Sequence, residues 1–327
     1  MQSKQLKPAL TVAGTVIGAG FATGKELILF FKNDNISLWY LLISLIIMAL
    51  VSLLYFAKQK DSKIPKSSFF VCQVIKMLFL LFSAASYTVM LACGGEALRE
   101  SVSLPFFWGT VVTFAITIGI VSFGVSNVYL FNLIATPILL ICMSAISLAG
   151  LFSPVGMFAA SQSQSVNLLM YSGYNLLSVL PVLGALSSTL EKKDGYIGIC
   201  MGFLFVITVG LLLKCLLLRF CHLTQNTAIP VLSIVSYLGN HFHIFYTVML
   251  YLSILTTAVN SFYAVTQGKN TLLIGLSLLC CSFLGFSTLI ETLYPFFGYL
   301  GLGVIVYVIS TAFKNQKIKK TKQKGCS

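Results

Sequence analysis

Charge is what this chain has least of. Asp, Glu, Lys and Arg together make up 9% of its 327 residues, against roughly 25% in soluble domains. From Ser101 to Leu190 there is none at all. A soluble fold could not cover a surface over such a length without charge, so the chain reads as a polytopic membrane protein. The nine cysteines are scattered, mostly within apolar segments, with no CxxC pair and no ligand spacing. That excludes a zinc site and gives no disulfide framework. Cys326 stands too near the end for a prenylation box. His241-x-His243 has no acidic or cysteine companion, and no nucleophile and base stand at a spacing that supports catalysis. Neither a metal centre nor an enzyme is expected.

Acidic residues are scarcer than basic ones, and the net charge is +13. Position argues against a nucleic-acid partner. Most of the basic residues sit in short loops and in the segment 314–327, where Lys314, Lys317, Lys319, Lys320, Lys322 and Lys324 form a basic tail. Such a tail either touches anionic lipid or is a solvated end beside the last helix.

Long hydrophobic runs are what the chain does have. Mean hydropathy is +0.94. Apolar runs of about 20 residues, the length that spans a bilayer, fall near 8–31, 36–57, 68–98, 105–124, 127–150, 167–190, 195–218, 242–267, 271–287 and 289–313. Residues 226–240 are too short to span, contain Pro230, and read as a re-entrant or interfacial helix. The first run follows a basic start but lacks a small-residue cleavage site, so it is read as a retained helix. Ten spans put both termini on one side. Fifteen lysines of loops and tail then fall on that side, against Lys32, Arg99 and Arg219 on the other. The positive-inside rule makes both termini cytoplasmic. The expected fold is all-α: one membrane domain of ten transmembrane helices over 1–327, with one five-span repeat over about 8–150 and a second over about 167–313.

Two runs are interrupted. The first reads ALTVAGTVIGAGFATGKELILFF, with Gly18-Ala19-Gly20 and then Thr23-Gly24-Lys25-Glu26 inside it. Gly is the weakest non-proline helix former and exposes backbone. Lipid offers no water to the freed groups, so broken backbone survives there only under protein cover or along a cavity. The sixth run repeats the feature at Ser172-Gly173-Tyr174-Asn175, with Pro181 beyond. The breaks lie five spans apart, and five is odd, so the halves would have opposite topology. Interrupted segments at corresponding positions of two inverted halves point to the midplane site of a secondary transporter. The GxGxxxG of residues 18–24 is not a dinucleotide loop, because it interrupts a span instead of joining a strand to a helix.

The run AGTVIGAGFATGKELILFF resembles the start of the YkvI-like bacterial membrane proteins. These are similar to the amino acid–polyamine–organocation superfamily, whose LeuT-like fold is a five-plus-five inverted repeat with broken helices 1 and 6. The resemblance in length and span pattern covers nearly the whole chain. It implies a fold and a transporter class more firmly than a cargo.

Half-helix N-termini at the breaks would attract a carboxylate and C-termini a cation, which suits a zwitterion such as an amino acid. The expected substrate contacts are Gly18, Ala19, Gly20, Phe21, Ala22 and Thr23 on span one, and Ser172, Gly173, Tyr174 and Asn175 on span six. Tyr87 on span three either offers its hydroxyl to a carboxylate or bonds a neighbouring helix. Thr23-x-x-Glu26 fits a capping box. Glu26 is either that cap or a proton or cation carrier, since intramembrane acids are functional candidates. The resemblance further implies an outer gate between a basic residue on span one and an acid on span ten. Lys25 and Glu291 fit by position, with Glu96 a competing partner. It also implies a sodium site from span-one carbonyls near Gly14 and Ile17 and the span-eight residues Thr257, Asn260 and Ser261, which share a helical face. Sodium or a proton is thus the expected coupling ion, with no other cofactor. The expected function is cation-coupled transport of a small amino acid or similar solute across a bacterial cell membrane. A transporter-fold sensor and a channel are the alternatives.

Overall fold

The computed structural model describes residues 3–31, 36–61, 69–123, 125–153, 167–224 and 227–324. Lys32, Lys63 and Lys66, which weighed in the orientation argument, lie outside the described residues. The described chain is helical, with no strand. In order the helices are α1 (Ser3–Val16), α2 (Ala19–Thr23), α3 (Lys25–Phe30), α4 (Ile36–Asp61), α5 (Phe69–Val102), α6 (Phe106–Ser122), α7 (Val125–Phe152), α8 (Leu168–Thr189), α9 (Lys192–Arg219), α10 (Pro230–Leu238), α11 (Asn240–Thr266), α12 (Thr271–Ser282) and α13 (Phe286–Lys324). A single 3-10 turn, Cys221–Leu223, follows α9.

Every apolar run expected from the sequence coincides with helix. Seven of these helices, among the described residues, are long and apolar enough to cross a membrane. Two shorter apolar helices are α6 and α12. At 1.5 Å per residue, the 12 residues of α12 reach about 18 Å, short of a hydrocarbon core of about 30 Å. The run 8–31 is divided among α1, α2 and α3. The short helix predicted within 226–240 is α10, which opens on Pro230 at its first turn, where a missing N–H costs nothing.

The helices sort into two groups. α1, α4, α8 and α9 pack on one another, and α5, α6, α11 and α12 form the second group. α7 bridges α9 and α11, and α13 bridges α8 and α5. A continuous apolar core runs through both groups. Many large side chains that remain exposed, such as Trp39, Trp108, Ile141 and Val306, lie on apolar helices, where lipid would cover them. The broken segment α1–α2–α3 sits between the groups, packed on α9 and α8 on one side and on α11 on the other.

Candidate binding site at the broken first helix

α1 stops at Val16. The N–H of Gly18 turns back to the Val16 carbonyl at 3.0 Å, a contact too short in sequence to continue the helix. No backbone N–H among the described residues reaches the carbonyls of Gly14, Thr15 or Ile17. The chain then re-enters helix at Ala19. Its first N–H is taken by the Thr257 hydroxyl of α11 at 3.2 Å, while that hydroxyl donates to the Ser253 carbonyl at 3.0 Å. Gly18 is required by this approach, because a Cβ there would lie 2.9 Å from Thr257 Oγ1. At the far end of α2 the Tyr246 hydroxyl, also from α11, donates to the Ala22 carbonyl. α11 therefore grips α2 at both ends. Gly24 follows with φ of +76° and a Val231 methyl 2.7 Å from where a Cβ would stand, a double demand that glycine alone meets. α3 closes at Phe31, whose carbonyl accepts a 2.6 Å hydrogen bond from Lys214 of α9. The fully buried ammonium sits where the negative end of a helix favours a cation.

A cavity of about 400 Å³ opens along this break. It runs from Lys7 and Thr11 on α1, both exposed, inward past Thr15 to Gly18, Ala19, Gly20 and Glu26. Its other walls are Phe82, Ser83, Ser86 and Met90 of α5, Thr136 of α7, Tyr174, Asn175 and Ser178 of α8, Thr256, Thr257, Asn260 and Ser261 of α11, and Tyr294 of α13. Glu26 lies at the inner end, 3% exposed. Asn175 Nδ2 donates to Glu26 Oε1 at 3.1 Å. Near it lie an ion pair and a group of buried aromatic side chains. Lys25 pairs with Glu291 at 3.2 Å, Tyr171 meets Phe30 and Phe31 edge-on at 5.5 and 4.8 Å, and Phe30 lies tilted against Tyr174 at 6.1 Å.

Several expected site residues gather here and several do not. Gly18, Ala19, Gly20, Tyr174 and Asn175 line the cavity, as do Gly14, Ile17, Thr257, Asn260 and Ser261. Phe21, Ala22 and Thr23 are buried away from it. Phe21 turns toward Gly210 of α9. The break expected at Ser172-Gly173-Tyr174-Asn175 is absent, because α8 runs unbroken from Leu168 to Thr189 with Pro181 inside it. The polar residues satisfy themselves within the helix and against neighbours. The Ser172 hydroxyl reaches the Leu168 and Ser44 carbonyls, and Asn175 reaches the Tyr171 carbonyl as well as Glu26. Gly173 is small because α13 crosses there, with the Gly298 carbonyl 2.6 Å from its missing Cβ. The motif is a helix-packing notch, and of the two predicted breaks the described residues show the one on span one.

The capping box is also absent. Thr23 ends α2, donates to the Gly20 carbonyl and accepts the Lys25 N–H at 3.3 Å, whereas Glu26 turns to Asn175. Tyr87 does not reach the cavity. Its hydroxyl shares a 2.9 Å hydrogen bond with Thr117 and its ring stacks on Phe262. Glu96 pairs with Arg99 on its own helix, not with Lys25. The sequence reading assigns no role to Tyr294, Tyr246 or Lys214. Tyr294 stands three residues after Glu291, on the same helical face, which was a usable signal. The partners of Tyr246 and Lys214 lie more than 180 residues away, so no local pattern marks them.

No protein-family model matches the chain. It is 25% identical to the uncharacterized membrane protein YkvI of Bacillus subtilis (strain 168), across 91% of this chain and 93% of that one. It is 22% identical to the uncharacterized protein YyaD of the same organism, across 93% and 96%. The resemblance to YkvI-like proteins read from the first-span motif thus extends over the chain. Among solved structures it is similar to Mhp1, a nucleobase-cation-symport-1 family transporter, in a closed conformation with bromovinylhydantoin bound. There the TM-score is 0.54 at 13% identity, covering 93% of this chain and 75% of Mhp1. The inward-facing conformation of Mhp1 gives a TM-score of 0.53 at 12% identity, covering 92% and 75%. A manganese transporter of Eremococcus coleocola gives 0.52 at 12%, covering 95% and 72%. These neighbours are LeuT-fold transporters, not enzymes, and at such identities the likeness establishes the fold.

Proposed function

We propose that this chain is a cation-coupled secondary transporter of a small amino acid or similar small polar organic solute. It works by alternating access in a bacterial cell membrane, with ten crossings arranged as five plus five and both termini cytoplasmic. One observation carries the reading: a cavity at broken intramembrane backbone, open toward the end of α1 that bears Lys7 and shut at the other end by the Lys25–Glu291 pair and an aromatic cluster. With the positive-inside orientation, this is the inward-open state. A channel would need a path through both ends.

The donor set suits the cargo. Two amides, several hydroxyls, one carboxylate and unpaired carbonyls line a space sized for a small solute. The carbonyls of Gly14 and Ile17 and the side chains of Thr257, Asn260 and Ser261 are the candidate sodium ligands, a hard oxygen set. Thr257 already serves the Ala19 N–H, and Ser261 donates to Ser86 at 3.1 Å, so sodium entry would rearrange both contacts. Glu26 is the candidate for proton coupling.

The test is uptake by purified protein in liposomes. Labelled amino acids should accumulate against a gradient when a sodium or proton gradient is imposed, and should not without one. Binding without flux would identify a sensor instead. Current that does not saturate with solute would identify a channel.

A further inference from the structure

We propose that Glu26, framed by Tyr174, Tyr294 and Phe82, receives the positively charged nitrogen of the cargo, so that solutes without a cationic amine are rejected. The inference rests on the cavity being the cargo site.

Among the described residues, Glu26 is the one acid on the cavity wall. It is nine-tenths or more buried, and its described hydrogen bond is a single donation from the neutral Asn175 amide. An ionised carboxylate accepts about four hydrogen bonds. Among the described residues no Lys or Arg lies within ion-pairing distance of it, since Lys25, its neighbour in sequence, turns away to Glu291. A buried carboxylate with one neutral partner takes up either a proton or a cation. The surroundings fit an organic one. Tyr174 and Tyr294 stack at 4.3 Å between centroids, and Phe82 meets Tyr174 edge-on at 5.5 Å. All three line the cavity with Glu26, and aromatic faces attract ammonium and guanidinium groups. Gly20 keeps backbone close to the carboxylate, since a Cβ there would lie 2.6 Å from Glu26 Oε2 and 2.9 Å from the Tyr294 hydroxyl. An amine seated here would meet carboxylate, aromatic rings and phenolic oxygens together. A solute carrying only a carboxylate would meet like charge.

The experiment uses the full chain purified in detergent and two matched sets of probes. One set is leucine, 3-methylbutylamine and 2-hydroxy-4-methylpentanoate. The other is alanine, ethylamine and lactate. Thermal stabilisation and titration calorimetry are expected to show binding of amine-bearing probes and none of the hydroxy acids. Glu26→Gln should keep the ligand-free melting temperature within a few degrees yet weaken amine binding by about tenfold or more. Glu26→Asp should retain part of it. A carbodiimide probe supplies a variant-free measurement: modification of Glu26 in the unaltered chain should slow with amine and not with hydroxy acid. The proposal is overturned if no amine binds, if a hydroxy acid binds as well as its amine counterpart, or if Glu26→Gln binds amines undiminished, as a pure proton carrier would. Failure of the transporter reading looks different: Glu26-dependent amine binding with no uptake by liposomes would refute transport and leave the subsite standing.

Discussion

At the scale of single residues, the site depends on a few side chains that hold backbone open. Thr257 is the clearest. Its hydroxyl accepts the first N–H of α2, and Gly18 leaves room for it to approach. Thr257→Val keeps the volume and removes the acceptor. Leaving a buried donor unsatisfied costs about 1–3 kcal/mol. A thermal-melt comparison should therefore show a lowered midpoint, and uptake should fall with it. A midpoint and uptake equal to the parent's would mean that the hydroxyl does not hold the break. That a break falls at Gly18 was legible from residue order, because two glycines two residues apart in an apolar run are poor helix formers. That Phe21 faces α9, and not the cavity, was not legible, since the direction of a side chain next to a break depends on how the next half-helix is set.

At the scale of elements, α8 gives the opposite lesson. Ser172-Gly173-Tyr174-Asn175 has the same composition as a break but lies in continuous helix. Small and polar residues in a membrane helix serve either purpose, and a packed neighbour decides between them. Here α13 lies against Gly173 at backbone distance. Gly173→Ala should force α8 and α13 apart and cost about 1–3 kcal/mol or more through overpacking, seen as loss of monodisperse protein on size exclusion or a clear drop in melting temperature. An equally stable alanine variant would argue against the close crossing. Lys214 belongs to the same scale, because it ties α9 to the end of α3. Lys214→Met strands the Phe31 carbonyl, at a cost of about 1–3 kcal/mol. The expected result is a lower melting temperature with the affinity for a bound solute little changed, because the contact lies outside the cavity lining.

At the scale of the whole molecule, the proposed inward-open state makes the Lys25–Glu291 pair part of a closed outer end. The Lys25 side chain is 16% exposed and that of Glu291 is 55% exposed, so the pair is a partly solvated one, of the sort worth about 0–1 kcal/mol. Breaking it should bias the balance of states without abolishing either one. Phe30, at the other end of α3 from Lys25, is 2% exposed. In a background cleared of native cysteines, Phe30→Cys should react with a membrane-impermeant thiol reagent only when the shut end opens. Adding Glu291→Gln should raise that rate by up to about fivefold, the factor that 1 kcal/mol allows. An unchanged rate would remove the pair from gating, and a hundredfold rise would mean that it is far stronger than a half-exposed ion pair should be.

Hydropathy and residue order, with no structure to hand, determined that this is an all-helical membrane protein, where its apolar helices lie, and that the first of them is interrupted at Gly18. Bilayer insertion requires long apolar runs, and glycine pairs weaken a helix wherever they fall, so both features are local properties of the chain. The resemblance to a transporter superfamily implied a pairing of Lys25 with an acid, Glu291 fitting by position and Glu96 competing, and the structure pairs Lys25 with Glu291. Only the tertiary structure decided that α8 is unbroken, that Tyr87 bonds Thr117 away from the cavity, and that Glu26 turns to Asn175 in place of capping its own helix. Each of those outcomes depends on which helix is packed alongside, and the chosen partner stands 30 to 149 residues away in the chain.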